Sequence, residues 1–469
     1  MVSILLYACG GRSGLAPLPD PAIANLQLEA PRQRHATQSK IQHIVIIIQE
    51  NRSFNNLFYG YPGAKTASYG YNSSGEKIEL QPVTIATTWD LQHNAQGYMA
   101  SCDGMGKIPG TDCQMDGFDK EKWACGASGE PKCPNENPPY SYVPQNQTTP
   151  YFSMAKQYVL ADEMYASDFD ISSFISHQYI IAGVNPDHTY DYPDGAWGCP
   201  GAPGDQIAVL GAKRNINGSK TVFPCWDPPT LGDELDDAGL PWAFYAVPLT
   251  DKGSGSGTLC GYGSKPDGKL GRSAIWSAYQ AIRHICYGKD WDNVKSPPQQ
   301  FLSDVKNGNL ATVTWVTPTY ANSDHGGNGS DTGPSWVASL VNAVGESPFW
   351  NSTAIFIFWD DPGGWYDPEP PKYLDSDGLG YRLPLLIISP YAKQGLVSHT
   401  HYEHGSILKF VEDQFGLGRL SASDKRAKSP QQDCFDFSQQ PRKFVPIQAP
   451  YDTDYFTHQP PDTRPPDSD

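Results

Sequence analysis

The sequence predicts an α/β fold built on a mainly parallel central sheet. Three observations carry this. Apolar runs of strand length are continuous rather than alternating, as strands covered on both faces require. Helical patterns lie between them, the order expected when helices cover both sides of the sheet. Long stretches at about 60–150 and 185–230, rich in Gly, Pro, Asn, Asp and Cys, fit neither pattern and read as cysteine-stapled loop insertions over one end of the sheet.

In chain order, Ile44–Ile48 in HIVIIIQEN is the first strand, followed by a helical pattern at Tyr151–Leu160 and another at Leu231–Ala238. Trp242–Val247 is the next apolar run, then a helical pattern at Ser273–His284, a strand at Leu310–Val316 and a helix at Ser335–Val344. Ala354–Trp359 and Leu385–Ile388 are two further strands, and Gly405–Phe415 closes the series as a helix. Residues 1–39 read as a signal or tether remnant, 40–440 as one α/β domain, and 441–469 as an extension whose tail QPPDTRPPDSD suits a disordered end.

Lys and Arg number 34 against 51 Asp and Glu, a net charge of −17 that repels a phosphate backbone and excludes a nucleic-acid-coating role. The opening MVSILLYACGG reads either as the end of a lipoprotein signal, with a lipid anchor at Cys9, or as an N-terminal segment with a chance cysteine. No later stretch approaches the ~18 apolar residues that cross a bilayer. Of the 10 cysteines, eight fall as sequence neighbours: Cys102/Cys113, Cys125/Cys133, Cys199/Cys225 and Cys260/Cys286, with Cys434 left single. Local disulfides and an exported, oxidising setting follow, periplasmic, cell-surface or secreted. The rival, a zinc cluster, lacks any C-x₂-C pair.

In an open α/β sheet, ligands bind beyond the carboxyl ends of the strands. Two strands end in adjacent polar pairs: Glu50-Asn51 after the first run, and Asp360-Asp361 before a Pro-Gly-Gly turn. Three carboxylates and an amide make an oxygen-rich cage for a divalent cation, although a lone Asp at a strand end is ordinarily a turn or cap.

QENRSFNNLF, the DLQH and MDGF pair, SDHGG, WDDPGGWYDPEPP and SPYAKQGLVSHTHYEHGSILKFVEDQFGL resemble the phosphoesterase family of bacterial phospholipases C and acid phosphatases, in the alkaline-phosphatase-like superfamily. The resemblance spans about residues 40–420 and implies a three-layer α/β sandwich. It implies that Glu50, Asn51, Asp360 and Asp361 hold one divalent metal ion (Mg, Ca, Mn or Zn). It also implies a nucleophile shortly before the helix in SSFISHQYIIAG. Aligning Tyr179 and Gly183 puts Ser173 there, with Ser172 one slip away, because the usual Pro-Asn-Arg is replaced by Ile175-Ser176-His177. His93 and His325 match family positions suited to donating to phosphoryl oxygens, and His284 is a third candidate as general acid. His399, His401 and His404 suit a metal or the cap of the following helix. Asp116, Phe118, Asp324 and Asp367 read as supports rather than catalysts.

Asp-Asp at the second pair and Ser at the nucleophile resemble the acid phosphatase branch, which implies hydrolysis of small phosphomonoesters through a phosphoserine. The alternatives are a phospholipase C acting on phosphatidylcholine-like lipids and a surface binding protein whose catalytic core has decayed. A sulfatase is set aside because C-x-P-x-R is absent.

Overall fold

The computed structural model describes residues 39–126, 131–193, 198–201, 204–211, 213–216, 220–247, 260, 276–460 and 462. Its main sheet contains β1 (His43–Gln49), β2 (Val159–Tyr165), β3 (Trp242–Tyr245), β4 (Val294–Lys295), β5 (Val313–Val316), β6 (Thr353–Trp359), β7 (Arg382–Ile388), β8 (Leu396–Ser398) and β9 (Tyr402–Glu403). Across the sheet the order is β4-β3-β5-β1-β6-β7-β2-β8, with β9 also pairing with β2. The pairings are parallel except the two made by β7, which runs against β6 on one side and β2 on the other. The sheet is mixed but mainly parallel, as expected. Six of the seven residues of β1 and all seven of β6 are buried, the reason these strands read as unbroken apolar runs.

The helices include α1 (Phe54–Phe58), α2 (Ala95–Cys102), α3 (Thr149–Gln157), α4 (Ser173–Ala182), α5 (Leu231–Asp237), α6 (Arg283–Cys286), α7 (Gln300–Lys306), α8 (Gly333–Gly345) and α9 (His404–Phe415). Six of them pack as two groups. One joins α3 and α7 to α8, and the other joins α4 to α5 and α9. These groups form the outer layers of the three-layer sandwich around the sheet.

Two expectations change. The pattern Tyr151–Leu160 ends as a helix at Gln157, and the chain passes at once into β2, a strand the sequence concealed. Asp162 and Glu163 interrupt its apolar run, yet Asp162 is buried, accepting the Lys65 amide at 2.8 Å and held by His399. The helix expected over Ser273–His284 is instead a 3₁₀ turn at Ala278–Ala281 followed by the four-residue α6, with 273–275 outside the described residues. The insertions also carry order: α2, a ribbon of Tyr69–Tyr71 against Lys77–Glu79, and a small antiparallel sheet of Thr189–Tyr190, Ile207–Val209 and Thr221–Val222.

All four neighbouring cysteine pairs are disulfides, and Cys434 is a buried single thiol. Cys9 lies outside the described residues. Among the described residues no helix is long and apolar enough to cross a membrane.

Candidate active site

The site follows from strand register. β1 and β6 are parallel neighbours paired residue for residue from His43 with Thr353 to Gln49 with Trp359, so the residues that follow leave the sheet side by side. These are Glu50-Asn51 and Asp360-Asp361, all four fully buried. The Asn51 amide N–H donates to Asp360 Oδ1 at 3.1 Å, which ties the two pairs together. Asn51 adopts φ +61°, a left-handed conformation that Asn tolerates better than most residues. The Pro-Gly-Gly turn closes over it. A Cβ on Gly363 would lie 2.2 Å from the Asn51 carbonyl oxygen, so a residue other than glycine does not fit there.

The nucleophile candidate arrives from β2. Because β7 runs against both β6 and β2, β2 is parallel to β6 and its chain also leaves at the carboxyl edge, passing through 166–172 into α4. Ser173 is the first residue of α4, buried, and its Oγ donates to Asp361 Oδ2 at 3.0 Å. Asp361 Oδ1 accepts the Gly363 amide at 2.7 Å. The loop before α4 is braced by carboxylates: Ser176 Oγ donates to Asp168 and Ser172 Oγ to Asp170. Ser172 is therefore engaged away from the acidic pair, and Ser173 is the serine that reaches it.

One turn along α4, His177 lies with Nε2 3.2 Å from Glu50 Oε1 and 3.6 Å from Asp360 Oδ2. The sequence showed His177 as a departure from the family pattern, without a role.

The two aspartates are driven apart electrostatically. Burial pushes Asp360 up, but the neighbouring His177, Glu50 and Ser173 side chains, His177 also through its charge, outweigh it and hold the group at about 2. Asp361 is pushed well above the usual carboxylate range by burial and then by the charge of Asp360. Two buried neighbouring carboxyls cannot both ionise unless a cation neutralises them. Both polar side-chain atoms of Asn51 and Asp360 Oδ2 are buried without a hydrogen-bond partner among the described residues. Such atoms cost about 1–3 kcal/mol each when left so. A donor set of Glu50, Asn51, Asp360 and Asp361 thus fits a divalent ion.

Beside it lies a second group. The rings of His93 and His325 meet edge to face with centroids 5.3 Å apart, and the Asp90 carboxylate lies 3.5 Å from His325 Nδ1 and 4.0 Å from His93 Nδ1. His93 Nδ1 donates to the Leu91 carbonyl at 2.7 Å and His325 Nδ1 to the Gly326 carbonyl, so neutral rings carry their lone pair at Nε2. The charge of His93 is felt by Asp361, which makes the two groups neighbours. Asp90 was missed in the sequence, although it opens the same DLQH string.

His325 is placed by its own loop. Gln49 Nε2 donates to the Asn322 carbonyl at 3.0 Å while Gln49 Oε1 accepts the Asp324 amide at 3.0 Å. The Asp324 carboxylate takes Tyr151 Oη at 2.7 Å and Trp359 Nε1 at 3.0 Å, and burial pushes it up to about 6. Asp367 is paired with Arg382 at 3.0 Å, and Phe118 packs among Tyr140, Tyr366 and Tyr381. Asp116 has no bond to the acidic pairs or histidines among the described contacts; burial raises its carboxyl.

His284 does not join them. Its two ring nitrogens are engaged by Asp227 at 2.5 Å and Asp233 at 2.8 Å, and α6 leaves it half-exposed. His399 pairs with Asp162 and His401 stacks on Tyr165, both away from the acidic pairs. The cap of α9 is Glu403, sharing a capping box with Ser406, rather than a histidine. His404, the first residue of α9, is buried against Phe358, and burial lowers it to about 4.

A model of the phosphoesterase family matches residues 41–418, taking in both acidic pairs, Ser173 and both histidines. The chain belongs to the phosphoesterase family. It is 24% identical to phospholipase C B of Mycobacterium tuberculosis, over 85% of this chain and 78% of that protein. It is 24% identical to non-hemolytic phospholipase C of Burkholderia pseudomallei, over 87% of this chain and 60% of the other. Non-specific phospholipase C1 of Arabidopsis thaliana is 22% identical over 87% and 76%. Among solved structures, an alkaline phosphatase superfamily protein from Vibrio parahaemolyticus aligns with TM-score 0.36 and 10% identity, covering 84% of this chain and 72% of that one. As a phosphoesterase, the chain is a phosphoric ester hydrolase.

Proposed function

We propose that this phosphoesterase is an exported, metal-dependent acid phosphatase that hydrolyses small phosphomonoesters through a phosphoserine on Ser173. The observation that carries the reading is the Ser173 hydroxyl 3.0 Å from Asp361, within a buried set of acidic and amide side chains that fits a cation. Glu50, Asn51, Asp360 and Asp361 would hold one divalent ion. When bound, such an ion supplies positive charge that lowers the pKa of a serine hydroxyl and neutralises phosphoryl oxygens.

Ser173 Oγ attacks phosphorus, forming the serine–phosphate bond as the ester P–O bond breaks. Its position at the start of α4 directs the first-turn amides of that helix toward the transferring group, an arrangement suited to anions. His93 and His325 donate from Nε2 to the phosphoryl oxygens. With Nδ1 committed to a carbonyl in each ring, Nε2 carries a proton only in the imidazolium form. Their donation therefore requires the charged form. A protonated histidine of this pair also supplies the proton to the leaving alkoxide, and water then releases inorganic phosphate from Ser173. The four disulfides support an oxidising compartment.

The runner-up is a phospholipase C, favoured by the names of the relatives at 24% identity. Assaying one preparation on p-nitrophenyl phosphate and on phosphatidylcholine vesicles separates the two. The phosphatase reading expects the monoester to be preferred, with faster turnover at pH 5.5 than at 8. Ser173→Ala is expected to cut turnover by about 10³-fold or more while phosphate still binds. Exhaustive chelation is expected to remove activity. Turnover of phosphatidylcholine alone would replace the proposal with the runner-up, and no turnover of any ester with metal supplied would leave a binding protein.

A further inference from the structure

The four acidic and amide donors contain no nitrogen ligand, and such a set favours hard cations such as Mg²⁺ or Ca²⁺. His177 changes that balance. It sits four residues after Ser173 on α4, on the same helix face, fully buried, with Nε2 between Glu50 Oε1 at 3.2 Å and Asp360 Oδ2 at 3.6 Å. Donors around one ion with bonds near 2.0–2.2 Å lie about 3.0–3.5 Å apart, and the two separations from His177 Nε2, 3.2 and 3.6 Å, lie close to that spacing. They all lie within 4.8 Å of one another. The 3.6 Å separation from Asp360 is too long for a good hydrogen bond, and Asp360 Oδ2 has no hydrogen-bond partner among the described residues. A hydrogen bond to Glu50 alone therefore does not account for the arrangement, whereas an ion among the three atoms does. The His177 Nδ1 atom is buried and has no hydrogen-bond partner among the described residues in either role, so it does not distinguish them.

We infer that His177 supplies an imidazole nitrogen to the cation held by Glu50 and Asp360, turning an all-oxygen site into a mixed nitrogen–oxygen site that selects a transition metal over Ca²⁺ and Mg²⁺. Imidazole suits Zn²⁺ and its first-row neighbours, while Ca²⁺ and Mg²⁺ gain little from nitrogen. The inference rests on the cation site of the proposed function and deepens it, because it names the class of ion.

The test uses the full-length protein stripped by chelation and titrated calorimetrically with Zn²⁺, Mn²⁺, Mg²⁺ and Ca²⁺. Wild type is expected to bind Zn²⁺ at least about tenfold more tightly than Ca²⁺. His177→Gln is expected to lose about 10–100-fold in Zn²⁺ affinity, with Ca²⁺ affinity held within a few-fold. Pulsed electron paramagnetic resonance of Cu²⁺-loaded wild type reads coordinated imidazole nitrogen directly and needs no substitution at His177. That signal is expected to persist in a His93→Gln, His325→Gln double variant, which keeps the assignment open to test if His177→Gln does not fold. Equal affinity losses for all four ions, unchanged selectivity in His177→Gln, or no nitrogen signal in the double variant would overturn the inference and leave the cation site standing. Failure of wild type to bind any of the four ions would bring down the cation site itself.

Discussion

Asp361 carries two loads that a single substitution separates. In the metal-free protein its carboxyl is held well above the ordinary range by burial and by Asp360, so the folded state keeps its proton more tightly than the unfolded chain does. The stability this proton contributes is complete below the unfolded carboxylate value near 3.9 and is lost as pH rises through the raised folded value. Asp361→Asn removes that loss. The stripped variant should therefore be more stable than stripped wild type at pH 8, by on the order of 1 kcal/mol, with no gain at pH 3.5. Cation affinity should fall by about tenfold or more, because a charged ligand has become an amide. Calorimetric melting in chelator at the two pH values checks the first part, and titration with metal checks the second. A stripped variant with the pH dependence of wild type would show that Asp360 and Asp361 do not oppose each other. The acidic pairs were legible because they end strands and fall in long recognisable strings. His177 was not, since its chemistry depends on helix phase: i to i+4 on α4 brings it beneath Ser173, and no motif marks that face. His284 shows the converse. Its sequence setting resembled a catalytic one, but Asp227 and Asp233, distant in the chain from its own string, claim both ring nitrogens.

The elements around the site work because β1 and β6 share a register and because the turn after β6 folds back onto the turn after β1. Gly363 is the contact point, with φ +61° and the Asn51 carbonyl where a side chain would begin. Gly363→Ala should destabilise the protein by about 1–3 kcal/mol through the left-handed backbone and the clash, and should reduce turnover by displacing Asn51 or Asp361. Denaturant unfolding and steady-state kinetics on one preparation check both, and an alanine tolerated without change in either would contradict the close approach. Strands buried on both faces were the readable part of the fold, since Ile44–Ile48 and Ala354–Trp359 are apolar regardless of which face each residue meets. β2 was hidden for the opposite reason: its Asp162 is satisfied by Lys65 and His399 from other parts of the chain, a tertiary arrangement that no local pattern contains. The short turns at Ala278–Ala281 and Arg283–Cys286 likewise look continuous in sequence, but the chain breaks at Ile282, which is extended at φ −101° and ψ 107°.

At the scale of the whole molecule the site draws on two kinds of support. Glu50, Asn51, Asp360 and Asp361 follow strands of the main sheet, and Ser173 opens a helix packed in an outer layer. Asp90 and His93 belong instead to an insertion, joined by an isolated bridge between Leu91 and Trp123 and braced by the Cys102–Cys113 and Cys125–Cys133 disulfides. His93 lies two residues before α2, and Cys102 is the last residue of α2, so the first disulfide fixes the far end of the helix that follows the histidine. Closing loops of this length constrains the unfolded segment by about 2–4 kcal/mol per disulfide, which is large for a segment with little strand pairing of its own. Reduction under native conditions should therefore loosen the histidine arm before it loosens the sheet. Inhibition by inorganic phosphate should weaken by about tenfold, because the donors from His93 are no longer fixed, while cation affinity and the far-ultraviolet circular dichroism change little. Parallel loss of cation binding and phosphate inhibition would mean that the insertions and the sheet form one cooperative unit. Phosphate inhibition unchanged after complete reduction would mean that packing against the sheet, not the disulfides, holds His93 in place.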